Sequence, residues 1–481
     1  MSGDQAPKVS VEEVRLYEWP FKLRLPFRFG AITVTHGRQL VLRARIRAAD
    51  GKEAWGVAAE CLAAKWFDKS PELSDEQNLE QLRLSVESAV DLYRKAGART
   101  AFGLFAATYR EQLAEGARHR LPPIVAGFGP ALLDRAVLDA LGRSTGQSFY
   151  AMMGANIAGM AGGDIVPDLA GFDFDGFLGS LRPAKTIHAR HTVGMVDPIV
   201  AADQSAAQRV NDGLPETLEE VVRDYRGRYY KLKVGGNVEQ DVARLARIAA
   251  VLDRMQEPYH ASLDGNEQYQ DAAGVLALWN AIKATPVLAR LAASILFIEQ
   301  PIKRAVAFEQ PIAALDAEKA VIIDESDGDL DAFPRARALG YRGVSSKTCK
   351  GLYKSLINAA RCRLWNSESA GARWFMSAED LTTLAGVSVQ QDLALVNLIG
   401  LTHVERNGHH FVDGFFGRTA KERDGFLAAH PDLYHRAGDQ VRLTIKDGLI
   451  ALGSLGGPGY AVAAEPDFSA LEAMPKSRWS Y

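Results

Sequence analysis

A chain of 481 residues exceeds the usual size of one domain, so a large unit plus a second module is expected, each able to bury a core. Its 56 lysines and arginines nearly balance 59 acidic residues, for a net charge of -3 with no long run of one sign, which argues against nucleic acid as a partner. Three scattered cysteines, Cys61, Cys349 and Cys362, form no CxxC pair and suit a reducing compartment; residues 1–10 do not read as a signal peptide, and apolar runs such as 295–298 are too short for a bilayer, so a cytoplasmic, non-membrane protein is expected.

In chain order, residues 11–56 read as short strands: Leu40-Val41-Leu42-Arg43-Ala44-Arg45-Ile46 alternates, and Asp50-Gly51 supplies a hairpin turn. Helical periodicity follows over 79–94 and 130–141, where Gly142 is placed as a helix stop. These elements predict an α+β module over 1–160. The stretch 162–183, rich in Gly, Asp, Phe and Leu without a period, reads as a linker or inserted loop, so the boundary is set at 161–186.

The rhythm then becomes strand, loop and helix. Apolar runs at 187–193, 229–234, 260–263, 295–298, 320–323, 343–346, 373–376 and 401–405 are separated by helical patterns. One pattern has Leu214, Leu218, Val221, Val222 and Tyr225 on one face with Pro215 near its start; another has Val242, Leu245, Ile248, Ala249 and Leu252. Eight β/α units predict an α/β fold, a closed (β/α)₈ barrel over 187–415. Residues 416–481 return to strands, with 441–445 turning at Asp447-Gly448 into 449–452, and are expected to pack back on the first module as part of a cap.

In such a barrel the chemistry gathers where strands end at the C-terminal face. Asp264, Glu299 and Asp324 follow three consecutive apolar runs. Any one of them alone reads more simply as a helix cap or a solvated acid. Three brought together repel one another unless a cation lies between them, and a set of oxygen ligands without His or Cys favours Mg²⁺ over zinc. Lys231 and Lys233, two apart on the preceding strand, point into the same cavity, and neighbouring lysines in a partly dry site are expected to have lowered pKa values, as a general base needs. Lys347, at the end of the sixth run, faces them from the opposite side.

These residues resemble the enolase superfamily, in its mandelate racemase and muconate lactonizing enzyme branch. Lys231-Leu232-Lys233 matches the family's lysine pair, Asp264-Gly265-Asn266-Glu267 its third-strand acid, Glu299-Gln300-Pro301 its fourth-strand motif and Asp324-Glu325-Ser326 its fifth-strand acid. Lys347-Thr348-Cys349-Lys350-Gly351 resembles the sixth-strand KxxKxG-like motif of the lysine-based, muconate-type subgroup. The resemblance implies an isomerase or lyase that abstracts a proton α to a carboxylate, with Mg²⁺ stabilising the enediolate and Lys233 and Lys347 as acid and base. Racemisation, epimerisation, cycloisomerisation and loss of water are all compatible with it. It further implies a supporting role for Glu379 at the seventh strand, substrate contacts from Asn266 and Glu405, and cap loops closing with Phe29 and Lys65 over a small carboxylate substrate. Homo-oligomers are common in the family.

Rival patterns are weaker. Gly142-Arg143-Ser144-Thr145-Gly146 matches a GxSxG nucleophile elbow, yet it follows a helix rather than a strand. His188 and His191 lack the helical spacing of a zinc pair. An acid-sugar dehydratase, or a catalytically silent barrel that binds a carboxylate, are the alternatives carried forward.

Overall fold

The computed structural model describes residues 6–30, 32–371 and 373–480; residues 1–5, which belong to the polar N-terminal stretch, lie outside the described residues. The chain starts with three antiparallel strands, β1 (Val9–Phe29), β2 (Ile32–Ala48) and β3 (Glu53–Cys61). Gly51, at φ +83°, makes the turn between β2 and β3 that Asp50-Gly51 predicts. Three long helices pack on one another, and the first and third of them also pack on this sheet. Asp75–Lys95 begins at a Ser74 capping box, Ala101–Arg118 is capped by Thr100, and Phe128–Thr145 is buried from residue 128 to 142 because it lies between the cap sheet and the barrel.

Eight parallel strands form the barrel: β4 (Thr186–Val193), β5 (Tyr229–Lys233), β6 (His260–Asp264), β7 (Ile295–Glu299), β8 (Val321–Ile323), β9 (Gly343–Ser346), β10 (Phe375–Ala378) and β11 (His403–Arg406). β11 pairs with β4 from His403↔His188 to Arg406↔His191 and closes the ring. The architecture is the (β/α)₈ barrel with an α+β cap read from the chain. Among the described residues no single helix is long and apolar enough to cross a membrane.

Several local expectations are corrected. The Phe128–Thr145 helix does not stop at Gly142; it runs on to Gly146, whose φ of +67° caps it. Gly142 serves close packing instead, since a Cβ there would meet Gly459 Cα at 2.7 Å and the Gln147 carbonyl at 2.8 Å. The helix expected from Leu214 starts at Leu218, because Thr217 and Glu220 form its capping box and leave Pro215 in the loop. β10 lies two residues later than the run 373–376 suggests.

The aperiodic stretch 162–183 contains a helix, Phe174–Ser180, capped by Asp173, with Phe174, Phe177 and Leu178 buried. Asp168 in that stretch pairs with Arg361 of the barrel at 2.7 Å. At the C-terminal end, β12 (Tyr434–Ala437) pairs with β13 (Gln440–Leu443), so the expected hairpin of 441–445 with 449–452 does not form. Asp447 and Gly448 do turn the chain with positive φ, but β14 (Leu449–Ala451) then pairs antiparallel with Thr186–His188 of β4, below the point where β5 begins. β15 (Glu472–Ala473) returns to the cap and pairs with β1 at Tyr17 and Glu18.

Cap and barrel are joined by a buried ion pair. Arg135 of the Phe128–Thr145 helix donates to Glu60 of β3 at 3.0 Å and to Gln391 of the barrel at 3.3 Å, and Thr348 donates to the same Glu60 carboxylate at 3.1 Å. Burial pushes the Glu60 carboxyl up to about 7 from an ordinary 4.5; Arg135 opposes the shift and the charge of Asp392 adds to it. Between these two values the folded chain holds a proton that the unfolded chain has lost, so stability falls as pH rises through that window. Urea denaturation across this range should show the fall in the wild type, on the order of 3 kcal/mol, and its loss in Glu60→Gln; parallel pH profiles for the two proteins would contradict it.

Candidate active site

Alternation along β5 turns Lys231 and Lys233 inward and Leu232 outward. Register then sets their partners, since Lys233 lies beside Asp264, and Asp264 beside Glu299, on successive strands. The Lys231 ammonium sits among four carboxylates: Asp264 at 2.9 Å, Glu299 at 2.9 Å, Glu379 at 2.8 Å and Glu405 at 3.0 Å. Lys233 donates to Asp264 Oδ2 at 2.5 Å. Across the ring, Lys347 donates to Asp324 Oδ2 at 2.7 Å, and Ser345 donates to the other oxygen of Asp324. Gln300 links the loops after β7 and β8: its amide nitrogen donates to Ser326 Oγ at 2.7 Å, and its carbonyl accepts from the Asp324 backbone at 2.7 Å.

The electrostatics correct one expectation. Lys231 does not have the lowered pKa expected of a paired lysine, because its ammonium faces carboxylates. Burial disfavours the charged form of Lys231, but Asp264, Glu299, Glu379 and Glu405 outweigh it and hold its pKa above the ordinary value. For Lys347 burial is likewise outweighed by Asp324, and the pKa is raised. Glu299 is pushed the other way from a typical ion-paired acid. Burial, then the charges of Asp264 and Glu379, raise its pKa well above the carboxylate range, and Lys231 offsets only part of this.

Asp264, Glu299 and Asp324 are an all-oxygen donor set delivered by three adjacent strands, which suits a hard divalent cation. Glu299 Oε2 supports the fit: it is buried and accepts no hydrogen bond, although the Lys231 ammonium is 2.9 Å away. Each of the three acids is engaged by a lysine, and among the described residues no three acidic, histidine or cysteine side chains are set around a common point as ligands. Binding a cation there therefore requires the ammonium groups to shift.

Above this cluster lies a cavity of about 780 Å³ between cap and barrel. Of the residues read from the sequence, Lys231, Lys233, Lys347, Asn266, Glu405, Phe29 and Lys65 line it; Asp264, Glu299, Asp324 and Glu379 are buried behind the lysines. Lys65 has other partners, donating to the Leu73 carbonyl at 2.6 Å, whereas Asn266 Oδ1 is buried without a partner. The cap reaches the floor of the cavity through Trp66, whose ring lies 4.3 Å from the Lys347 ammonium. Arg304 holds that segment by donating to the carbonyls of Trp66 and Phe67 at 2.9 and 2.8 Å, and Lys69 pairs with Glu267 at 2.6 Å and Glu325 at 3.0 Å.

Three contributors were missed in the sequence. Arg190 on β4 is fully buried and donates to Glu379, which in turn faces Lys231. Thr192, two residues on, donates to Glu405, and Asp380 lines the cavity while accepting from the backbone of Asn407 and Gly408. The signal for the first two was period-two alternation within the first barrel strand, where an arginine on the inward face needs an acid to answer it. The rival patterns dissolve: Ser144 lies in the last helical turn and donates to the Leu141 carbonyl, while His188 packs on Tyr229 and His191 on His410.

No family model and no curated protein matches the chain. Solved structures do match over nearly its whole length. A muconate lactonizing enzyme from Mucobacterium Smegmatis complexed with muconolactone is 17% identical at a TM-score of 0.60, with 96% of this chain and 98% of that one covered. A dipeptide epimerase from Enterococcus faecalis V583 complexed with Mg and the dipeptide L-Leu-L-Tyr is 13% identical at 0.59, covering 95% and 100%. An enolase from Bradyrhizobium complexed with magnesium and mandelic acid is 16% identical at 0.55, covering 96% and 97%. At such identities the likeness is one of fold.

Removing the central ammonium would leave four buried carboxylates facing one another. Lys231→Met is expected to cost about 3–5 kcal/mol in chemical denaturation, because breaking a buried ion pair leaves its partners uncompensated. A loss below about 1 kcal/mol, typical of an exposed pair, would show that Lys231 is not the charge that holds this cluster.

Proposed function

We propose that the protein is a Mg²⁺-dependent enzyme that removes a proton α to the carboxylate of a small substrate and returns it, as a racemase, epimerase or cycloisomerase does. The observation that carries this reading is the placement of Lys233 and Lys347 on β5 and β9, four strands apart in a ring of eight, both on the floor of one cavity. An α-carbon held between them presents one face to each ammonium-bearing side chain, so one lysine in its neutral form takes the proton and the other, protonated, supplies one. The family resemblance and the fold of the enzymes matched above support the same chemistry.

Asp264, Glu299 and Asp324 are the residues that would hold Mg²⁺, and the ion when bound would supply positive charge against the carboxylate as its α-proton leaves, while relieving Lys231 and Lys347 of part of the negative charge that raises their pKa values. The chain's own residues do the rest. Lys231, fixed by Glu379 and Glu405, offers its ammonium to the substrate carboxylate; Arg190 holds Glu379 in place; Trp66 covers Lys347 and keeps water from it.

The test is exchange of substrate α-hydrogens with solvent deuterium, followed by proton NMR, over acid sugars, dipeptides and acylated amino acids. Exchange should require Mg²⁺, stop on chelation, and fall by about 10²–10⁴ in Lys233→Ala and in Lys347→Ala, the contribution of a positioned acid or base. Exchange that survives both substitutions would end the two-lysine reading; Mg²⁺ binding without exchange on any carboxylate would make the barrel a binding protein.

A further inference from the structure

The cavity is divided by chemistry. Its floor is polar, with Lys231, Lys233, Lys347, Glu405 and two buried amide oxygens, Asn266 Oδ1 and Asn407 Oδ1, that accept no hydrogen bond. Its upper walls carry an apolar set, Trp19, Phe29, Ile32 and Val34 from the β1–β2 hairpin, Leu79 from the Asp75–Lys95 helix and Leu381 from the loop after β10, with Thr33, Thr35, His36 and Thr382 among them. The hairpin is shaped for this position. Its register breaks between Lys22 and Phe27 on β1, where five steps along β1 span only two along β2, from His36 to Val34. Such an irregularity bends the strand pair, here over the barrel mouth, and its tip contacts the barrel, since a Cβ on Gly30 would meet the Gln268 side chain at 2.5 Å.

Accepting the proton-transfer reading above, we infer that the substrate is a carboxylate carrying a bulky, uncharged, apolar arm, and that the arm fills this upper compartment. At about 780 Å³ the cavity is large among small-molecule sites, which span roughly 300–1,000 Å³, and a bare hydroxy acid on the lysines would leave its apolar walls facing water. The hydroxyls of an acid sugar would find no partners on those apolar side chains. A second negative charge on the arm is no better served. Arg38 at the mouth already donates to Glu18 at 2.5 Å, Lys65 to the Leu73 carbonyl, and Lys22 is exposed.

Phe416 gives independent support. It is 51% exposed, the one exposed large aromatic side chain among the described residues, and it stands at the mouth of this cavity beside Gly417, which packs so closely on Trp19 that a Cβ there would meet the indole at 2.6 Å. An apolar arm leaving the lysines passes this ring and covers it.

The experiment measures both binding and deuterium exchange on N-acetyl, N-butanoyl, N-hexanoyl, N-octanoyl and N-phenylacetyl amino acids alongside acid sugars, by calorimetry and NMR with the Mg²⁺-loaded full chain. Affinity or kcat/KM should rise about fourfold per added methylene until the compartment is full, and Ile32→Asn and Leu79→Asn should flatten that rise. Tighter binding with arm length but no exchange would uphold the inference about the cavity while removing the proton-transfer reading. Exchange or binding indifferent to arm length, or best on acid sugars, would overturn the inference and leave that reading standing.

Discussion

A single ammonium group organises the centre of this molecule. Lys231 reaches from the second barrel strand to four carboxylates carried by the third, fourth, seventh and eighth strands, and its charge lets Asp264, Glu299, Glu379 and Glu405 be buried together. Charges in a dry interior are tolerated only when answered, so the positions of these strand ends are mutually dependent. Arg190 answers Glu379 from the first strand, and Lys347 answers Asp324 from the end of the sixth. The barrel rim is therefore a network of mutually dependent charges.

That network also accounts for the cap. A cluster of lysines and acids open to solvent would be screened and hydrated, and its ion pairs would lose the low-dielectric surroundings that strengthen them. The cap closes it by strong local bonds. Arg304 and Lys69 clamp the Trp66–Phe67 segment on the rim, and the Arg135–Glu60 pair locks the cap sheet to the barrel from behind. What remains between them is a compartment with ionic ground and apolar walls, two surfaces that ask for two ends of one ligand.

Much of this was legible in the chain. Short apolar runs alternating with helical stretches named the eight barrel strands, and the acids that end three of them stood out because the apolar runs stop where the charges begin. Asp264, Glu299, Asp324, Lys231, Lys233 and Lys347 all converge. Other features were hidden for identifiable reasons. Gly142 looked like a helix end because a glycine's close packing against Gly459, far along the chain, leaves no local mark. The helix at Phe174–Ser180 is too short to show a period. β14 could have paired with β13 by pattern alone, and only the free lower edge of β4 draws it away.

The sequence by itself determined the order of elements, the closed barrel they imply, and which residue types face inward at its rim, because backbone hydrogen bonding and side-chain alternation act over a few residues at a time. Only the tertiary structure decided which charge meets which. It put Lys231 among four carboxylates, one of them shared with Lys233, reversing the expected direction of the Lys231 pKa shift, and it turned a bowed hairpin into the roof of the cavity. Both outcomes depend on distances between strands far apart in the chain, and electrostatic partners in a low-dielectric interior are set by those distances, not by spacing along the sequence.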